Sequence, residues 1–191
     1  MMNSVVDEIR VDEHLCIKVK YIVDDRGMIY IPDLVSDGAS GLQCIENLIH
    51  LGVVASVSMR SIFLSEAYKP SPVGTVHNAV IMRGAVINIM KRSTGKIREM
   101  AKELKFLCPS PELVYLIAKK FNEEDLKGMG LQSIRVMHEL FKDEYGDWSG
   151  FEVTYGDNGA YISSHYDSEG ELTWAHHVGF AFSCGQVPAM C

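Results

Sequence analysis

The chain has 191 residues, of which 47% are hydrophobic and 23% are charged. This length suits a domain with its own core, and the composition excludes intrinsic disorder and a long coiled coil. The formal net charge is −7, and its distribution is uneven, because eight acidic residues and no lysine or arginine follow Lys142. A field of this kind selects the partners of a protein and does not determine its fold.

Neither a secretory signal nor a membrane span is predicted. The first residues, MMNSVVDEIR, lack a basic segment followed by an apolar run. The most apolar stretch, AVIMRGAVINIM, is too short to cross a bilayer and contains Arg83. The five cysteines are an odd number and form no C-x-x-C pair. We therefore expect a soluble cytoplasmic protein with reduced thiols and no disulfide framework.

Residues 1–69 are predicted to form a β-hairpin followed by a helix. In LCIKVKYIVDDRGMIYIP, apolar residues alternate with polar ones on both sides of the turn sequence DDRG, which would pair Val23 with Ile29. Ser40 and Gln43 have the spacing of a helix capping box, and Gly52 would end that helix. The following stretch, VVASVSMRSIFL, is predicted as a strand.

Residues 70–146 are predicted to be helical, after a break at KPSPVG. TVHNAVIMRGAVINIMKRS is ambiguous between a helix and a pair of strands, and we predict a helix. Apolar spacing predicts a second helix in STGKIREMAKELKFL. A third would restart at Ser110, Asn122 would cap a further turn, and LQSIRVMHELFKDEYG would be the last helix.

Residues 147–191 are predicted to form an acidic antiparallel β-meander. A two-residue turn at Asn158-Gly159 would pair Tyr155 with Ile162. A second turn, DSEG, would return residues 171–184 as a third strand. The predicted fold class is α+β: an N-terminal β-hairpin and helix, a central helical stretch, and a C-terminal antiparallel β-meander packed on the helices. We expect the three segments to share one compact domain.

The predicted register places Glu152, His165 and Thr173 side by side on the outer face of the meander. A carboxylate, an imidazole and a hydroxyl in line are the parts of acid–base or nucleophilic catalysis. One hypothesis is therefore a small hydrolase or transferase that uses these three residues. The alternative is cross-strand polar pairing on a solvated face, which only stabilises the sheet.

No metal site and no cofactor are predicted, although three histidines lie near the C-terminus. His176 and His177 are adjacent on the predicted third strand, so their side chains would leave opposite faces. Cys184 would lie about 26 Å from His176 along an extended strand. Zinc needs ligands at about 2.0–2.3 Å, so these residues should not share an ion.

The segment 91–105 holds the main concentration of basic residues and could bind a nucleic acid or a phosphate. The candidate residues are Lys91, Arg92, Lys96, Arg98 and Lys102. The alternative is a solvated helix face with pairs between glutamate and lysine.

The preferred hypothesis is an intracellular macromolecule-binding protein, an inhibitor or adaptor without chemistry of its own. Its acidic sheet would repel nucleic acid and attract a basic protein, so nucleic acid is the less favoured partner. The composition also permits a homo-oligomer. The residues predicted to contact the partner are Glu152, Asp167, Glu169, Glu171 and His177.

Overall fold

The computed structural model describes residues 3–11, 14–142, 146, 148–156, 159–166, 173–185 and 187. The strands are β1 (Asn3–Val11), β2 (His14–Val23), β3 (Ile29–Val35), β4 (Val54–Ala55), β5 (Val76–Arg83), β6 (Ser133–Lys142), β7 (Trp148–Gly156), β8 (Gly159–Tyr166) and β9 (Val178–Ser183). The α-helices are α1 (Gly41–His50), α2 (Val57–Phe63), α3 (Thr94–Glu103), α4 (Leu113–Lys120) and α5 (Glu123–Gly128). Short 3-10 helices lie at Gly84–Val86 and Ile89–Lys91.

All of these strands belong to one mixed sheet with the order β1-β2-β3-β5-β9-β6-β7-β8-β4. The pairs β6–β9 and β4–β8 are parallel, and the other pairs are antiparallel. The predicted α+β class is therefore confirmed. Strands from each of the three predicted segments share the sheet. Among the described residues, no helix is long and apolar enough to cross a membrane.

The two faces of the sheet carry different cores. The face that we call the helical face packs on α1, α2, α4 and α5 through a large apolar cluster. The opposite face, which we call the outer face, packs on α3 through a smaller cluster. Side chains alternate between the faces along each strand, so Ile134 and Val136 belong to the first cluster and Met137 to the second. The two clusters together make the central strands apolar on both faces.

Local sequence signals near the N-terminus are confirmed. Val23 pairs with Ile29 across the first turn, as the alternating pattern predicted. Ser40 forms a complete capping box with Gln43 at the start of α1. Gly52 follows the end of that helix with a φ of +73°, a conformation that glycine adopts without strain. Each of these features depends on neighbouring residues alone.

The prediction of a strand in VVASVSMRSIFL is wrong for most of its length. Only Val54–Ala55 is a strand, and α2 follows it. Ser56 caps that helix by accepting a hydrogen bond from the Met59 amide at 3.2 Å. Met59, Ile62 and Phe63 then fall on one helical face and are buried.

Two predicted helices are instead central strands. TVHNAVIMRGAVINIMKRS forms β5, and LQSIRVMHELFKDEYG forms β6. Residues 79–82 and 133–138 are buried without interruption, because both faces of these strands are covered. A strand that is buried on both faces reads as a continuous apolar run, and its periodicity does not distinguish it from a buried helix. The central helical stretch is therefore limited to α3, α4 and α5.

The meander is only partly present. Strands β7 and β8 form the predicted hairpin, but Tyr155 pairs with Ala160 instead of Ile162. This shift of two residues keeps every side chain on its predicted face. The predicted third strand does not return beside β8, because β9 lies between β5 and β6. Its residues 178–182 are buried, which a central position provides. Asn158 and the turn at 167–170 lie outside the described residues.

The loop at KPSPVG is tied to the rest of the protein by a buried carboxylate. Glu112 is 0% exposed and accepts hydrogen bonds from the Ser36 hydroxyl at 2.5 Å and from the Ser71 amide at 2.9 Å. Glu112 directly precedes α4, so one carboxylate joins that helix to the loop after β3 and to the loop before β5. The segment therefore does not behave as a free linker.

We expect Glu112→Ala to lower the free energy of unfolding by about 2 kcal/mol, because two buried donors lose their acceptor. Glu112→Gln keeps one acceptor oxygen and should cost less. Exposed Glu66 provides the matched control, and Glu66→Ala should change stability by less than about 0.5 kcal/mol. Urea unfolding measures all three variants. Equal stability of the two alanine variants would show that the carboxylate does not tie the loop.

Candidate functional site

Four polar side chains lie in a row on the outer face, across β6, β7 and β8. They are Arg135, Glu152, Ser163 and His165, and we call them the polar row. Their positions follow from strand alternation, because the neighbouring apolar residues of the same strands fill the helical face. Arg135 pairs with Glu152 in the ladder, and Glu152 pairs with Ser163.

The predicted neighbours Glu152 and His165 do come together. Glu152 Oε2 lies 3.1 Å from His165 Nε2, and the side chains are 9% and 43% exposed respectively. Ser163 Oγ lies 2.8 Å from the same nitrogen. The residue opposite His165 in the ladder is Gly150, which has no side chain, so the imidazole reaches diagonally to Glu152.

This geometry orients the imidazole of His165 but does not make it the base for Ser163. An ionised carboxylate only accepts hydrogen bonds, so the contact with Glu152 places a proton on Nε2. That nitrogen then cannot take a proton from the Ser163 hydroxyl. In a nucleophile–base–acid triad, by contrast, the hydroxyl and the carboxylate use different ring nitrogens.

The inner end of the row is covered by Trp174. Arg135 is 1% exposed, and its Cζ lies 4.3 Å from the centre of the Trp174 ring, the geometry of a cation–π contact. The indole Nε1–H donates to Thr94 Oγ1 at 3.0 Å, which ties Trp174 to the start of α3. Sequence reasoning missed Arg135 because β6 had been predicted as a helix. The sequence signal for Arg135 was that it is the only charged residue within the apolar run SIRVM.

Thr173 does not join the polar row. It is exposed, lies outside any strand, and has no ladder partner in β8. The prediction that it sits beside His165 is wrong, because the third strand of the meander does not return there. Of the predicted partner contacts, Asp167, Glu169 and Glu171 lie outside the described residues.

Strand alternation does not separate His176 from His177, contrary to the prediction. Residues 173–177 precede β9, and the two imidazole rings are 5.3 Å apart. His176 is exposed and His177 is half-buried. Within the part of the chain that the structure describes, no group of three or more histidine, cysteine or acidic side chains could hold a metal ion.

Three of the predicted nucleic-acid contacts bind carbonyl groups of their own chain. Arg92 Nε donates to the Ile87 carbonyl at 2.9 Å, and Lys96 Nζ to the Met90 carbonyl at 3.0 Å. The Arg98 guanidinium donates to two successive carbonyl groups of β6, at 3.0 and 2.9 Å. Lys91 and Lys102 are exposed. A phosphate bound by Arg92, Lys96 or Arg98 would compete with these hydrogen bonds.

Cys44, Cys108 and Cys184 are not activated nucleophiles. Burial raises the pKa of the Cys44 thiol to about 11 and that of the Cys184 thiol to about 11. Burial also raises the pKa of Cys108. These three residues therefore carry protonated thiols at neutral pH, whereas a reactive cysteine needs a lowered pKa.

Toward β4, the outer face beside the polar row carries two exposed side chains. Val54 and Tyr161 pair between β4 and β8 with their side chains on this face, and they are 51% and 42% exposed. Helix α3 packs over β5, β9 and β6, and its apolar cluster does not include Val54 or Tyr161. We call the surface formed by Val54, Tyr161, Ser163 and His165 the open face.

A groove between α3, the later part of β6 and the start of β7 is lined by Arg98, Glu139, Leu140 and Trp148 and has a volume of about 360 Å³. Comparison of the chain with protein-family models, with curated proteins and with solved structures finds no match. The candidate function is therefore argued from charge and geometry alone.

Proposed function

We propose that this chain is a cytoplasmic binding protein, an inhibitor or adaptor, that presents its acidic C-terminal quarter to a basic macromolecule and performs no chemistry. The observation that carries the proposal is the absence of any lysine or arginine after Lys142, where eight acidic residues lie. Such a surface attracts a basic partner over the range of a Debye length and repels nucleic acid.

The position of the hairpin supports this proposal. Strands β7 and β8 both come from the acidic quarter and lie next to each other near one end of the sheet. Their open face carries an exposed aromatic residue, Tyr161, beside the polar side chains of Ser163 and His165. Protein interfaces use aromatic anchors of this kind, surrounded by polar and charged groups.

Glu152 was predicted to contact the partner, and the proposal gives it a different role. Its side chain is only 9% exposed and contacts His165, so it serves to orient the imidazole. The proposed contacts to the partner are Asp167, Glu169, Glu171 and His177, together with Tyr161 and His165 of the open face.

We expect a decalysine peptide, used as a basic probe, to bind at low salt and to lose affinity steeply as NaCl rises from 50 to 300 mM. The reason is that exposed charges further apart than about 10 Å are screened at 0.1 M salt. Fluorescence anisotropy with a labelled peptide measures the affinity, and decaglutamate is the control. Affinity that does not change with salt would contradict the proposal.

A small hydrolase or transferase is the second candidate, favoured by the contact of 3.1 Å between Glu152 and His165. The hydroxyl beside them is that of Ser163 rather than that of Thr173. Under this candidate, His165→Ala would abolish turnover of p-nitrophenyl esters while the melting temperature stays within about 2 °C. Turnover that survives this substitution excludes the polar row as a catalytic site.

Nucleic-acid binding through residues 91–105 is the remaining alternative. Lys91 and Lys102 are exposed, so Lys91→Glu with Lys102→Glu tests it without breaking the carbonyl bonds of Arg92, Lys96 and Arg98. A mobility shift of a DNA or RNA oligonucleotide that this double variant loses would favour the alternative.

A further inference from the structure

Strand β8 has an edge that the sheet leaves partly unpaired. On one side β8 pairs with β7 over its whole length. On the other side β4 pairs only with Tyr161 and Ile162, and the chain then turns into α2. Residues 163–166 continue the strand with no paired strand on that side among the described residues, and α2 contacts β8 through the apolar cluster of the helical face.

The backbone groups at this edge point away from the sheet. The Ser56 amide donates to the Ile162 carbonyl at 2.9 Å, so Ile162 directs its backbone groups to the β4 side. Because the direction alternates along a strand, the N–H and C=O groups of Ser164 and Tyr166 point to the same side. An unpaired row of this kind is a template on which another strand can form.

Charge indicates which strand would form there. Asp157 precedes β8 in the sequence and Asp167 follows it, with Glu169 and Glu171 next. A second copy of this chain carries the same net charge of −7 and the same acidic quarter, so like charge opposes its approach. An extended peptide with lysine or arginine side chains has the opposite charge and would be attracted. The guanidinium of Arg60 in α2 is held against β4, since its Nε donates a hydrogen bond to the Ala55 carbonyl at 3.0 Å.

We propose that residues 163–166 of β8 accept an extended basic peptide as an added strand. The inference rests on the proposed function and specifies how the basic partner binds. Alternate side chains of the peptide lie on the open face, beside Tyr161 and His165. The main-chain bonds to Ser164 and Tyr166 fix the direction and register of the peptide.

Peptides with N-methyl groups on alternate residues test the strand directly. The probe is a ten-residue peptide that alternates lysine and valine, methylated either at its odd or at its even residues. When the lysines lie on the open face, one fixed edge of the peptide faces β8, so the peptide methylated on that edge should lose binding at least about tenfold while the other stays within about twofold. Equal affinity of the two methylated peptides would overturn strand addition.

Ser164→Pro tests the same edge from the side of the protein. It removes the amide that faces the peptide, at a position where an edge strand tolerates proline. We expect at least about tenfold weaker binding of the lysine–valine peptide, whereas Ser164→Ala, which keeps the amide, should bind like the unmodified chain. Circular dichroism verifies the fold of both variants. If Ser164→Pro does not fold, the comparison of the two methylated peptides alone tests whether the peptide binds as an added strand.

The outcomes separate this inference from the proposed function. Absence of binding of the unmethylated peptide at low salt would overturn both. Salt-sensitive binding that neither methylated peptide nor Ser164→Pro changes would overturn strand addition and leave the proposed function in place. A dimer seen by sedimentation velocity without peptide, and lost in Ser164→Pro, would show that a second copy occupies the edge and would overturn the inference.

Discussion

Gly41→Ala is expected to lower the free energy of unfolding by more than about 3 kcal/mol, because the new methyl group has no space. A Cβ atom at residue 41 would lie 1.7 Å from the Phe63 carbonyl oxygen and 2.5 Å from its carbon. Both are backbone atoms, which cannot rotate away as the end of a side chain can. Helix α1 begins at Gly41, and α2 ends at Phe63, so the substitution would force the two helices apart.

Gly95→Ala provides the matched control for this substitution. Gly95 lies in α3, and a Cβ atom there would meet nothing within 4 Å. Alanine should therefore stabilise the protein slightly, by about 0.5 kcal/mol, through helix propensity alone. Urea unfolding gives both values. A Gly41→Ala protein as stable as the unmodified chain would show that α1 and α2 are not packed as closely as described.

The second large effect concerns His138, which is buried in β6 with 0% exposure. Its Nε2 accepts a hydrogen bond from the Phe151 amide at 3.1 Å, so the proton of the neutral ring lies on Nδ1 and is donated to the Glu139 carbonyl. Burial lowers the pKa of the imidazole to about 4, against an ordinary value of 6.5, and the nearby guanidinium groups of Arg98 and Arg135 act in the same direction.

Stability should therefore fall as the pH falls through this window. Below pH 6.5 the unfolded chain binds a proton on His138 that the folded chain does not bind until about pH 4. The contribution of His138 to the free energy of unfolding is complete above pH 6.5 and is lost between pH 6.5 and 4. Its total is about 3 kcal/mol. Urea unfolding at a series of pH values between 7 and 4 measures it.

His138→Gln is the control for the pH dependence. Its amide oxygen can still accept from the Phe151 amide, but it does not titrate. The carboxyl groups of the protein contribute equally to both proteins, so the difference between the two pH profiles isolates the histidine. We expect the variant to lose less stability on acidification than the unmodified chain. Identical pH profiles of the two proteins would contradict the assignment of a neutral buried imidazole.

The parts of the fold that depend on neighbouring residues were predictable. The turn that pairs Val23 with Ile29 and the capping boxes begun by Ser40 and Asn122 are set by a few residues each, and all are present. Helix α3 also follows its apolar spacing. In the turn and in the two capping boxes, the sequence motif satisfies its own backbone groups, so tertiary contacts do not change it.

The central strands β5 and β6 could not be predicted in the same way, and for β9 the strand was predicted but its place in the sheet was not. Their residues are apolar on both faces because helices cover both sides of the sheet, and this pattern also fits a buried helix. The place of β9 between β5 and β6 depends on contacts between residues far apart in the sequence. No turn motif specifies such a crossover.

The candidate site contains one contact that the sequence predicts and several that it does not. The contact of Glu152 with His165 could be predicted, because the shift of two residues in the hairpin preserves the faces of the strands. The neighbours Ser163, Arg135 and Trp174 could not, since they depend on the exact register of the hairpin and on the true position of β6. Thr173 was placed in the row by a strand that does not return beside β8.

The most direct test of the acidic-surface proposal compares two triple variants of equal net charge. One carries Asp167→Asn, Glu169→Gln and Glu171→Gln in the C-terminal quarter. The other carries Glu66→Gln, Glu99→Gln and Glu103→Gln, at exposed residues of the preceding chain. We expect decalysine at 50 mM NaCl to bind the first variant at least about tenfold more weakly than the unmodified chain, and the second within about twofold. Equal weakening by both variants would show that overall charge, rather than the C-terminal quarter, attracts the basic partner.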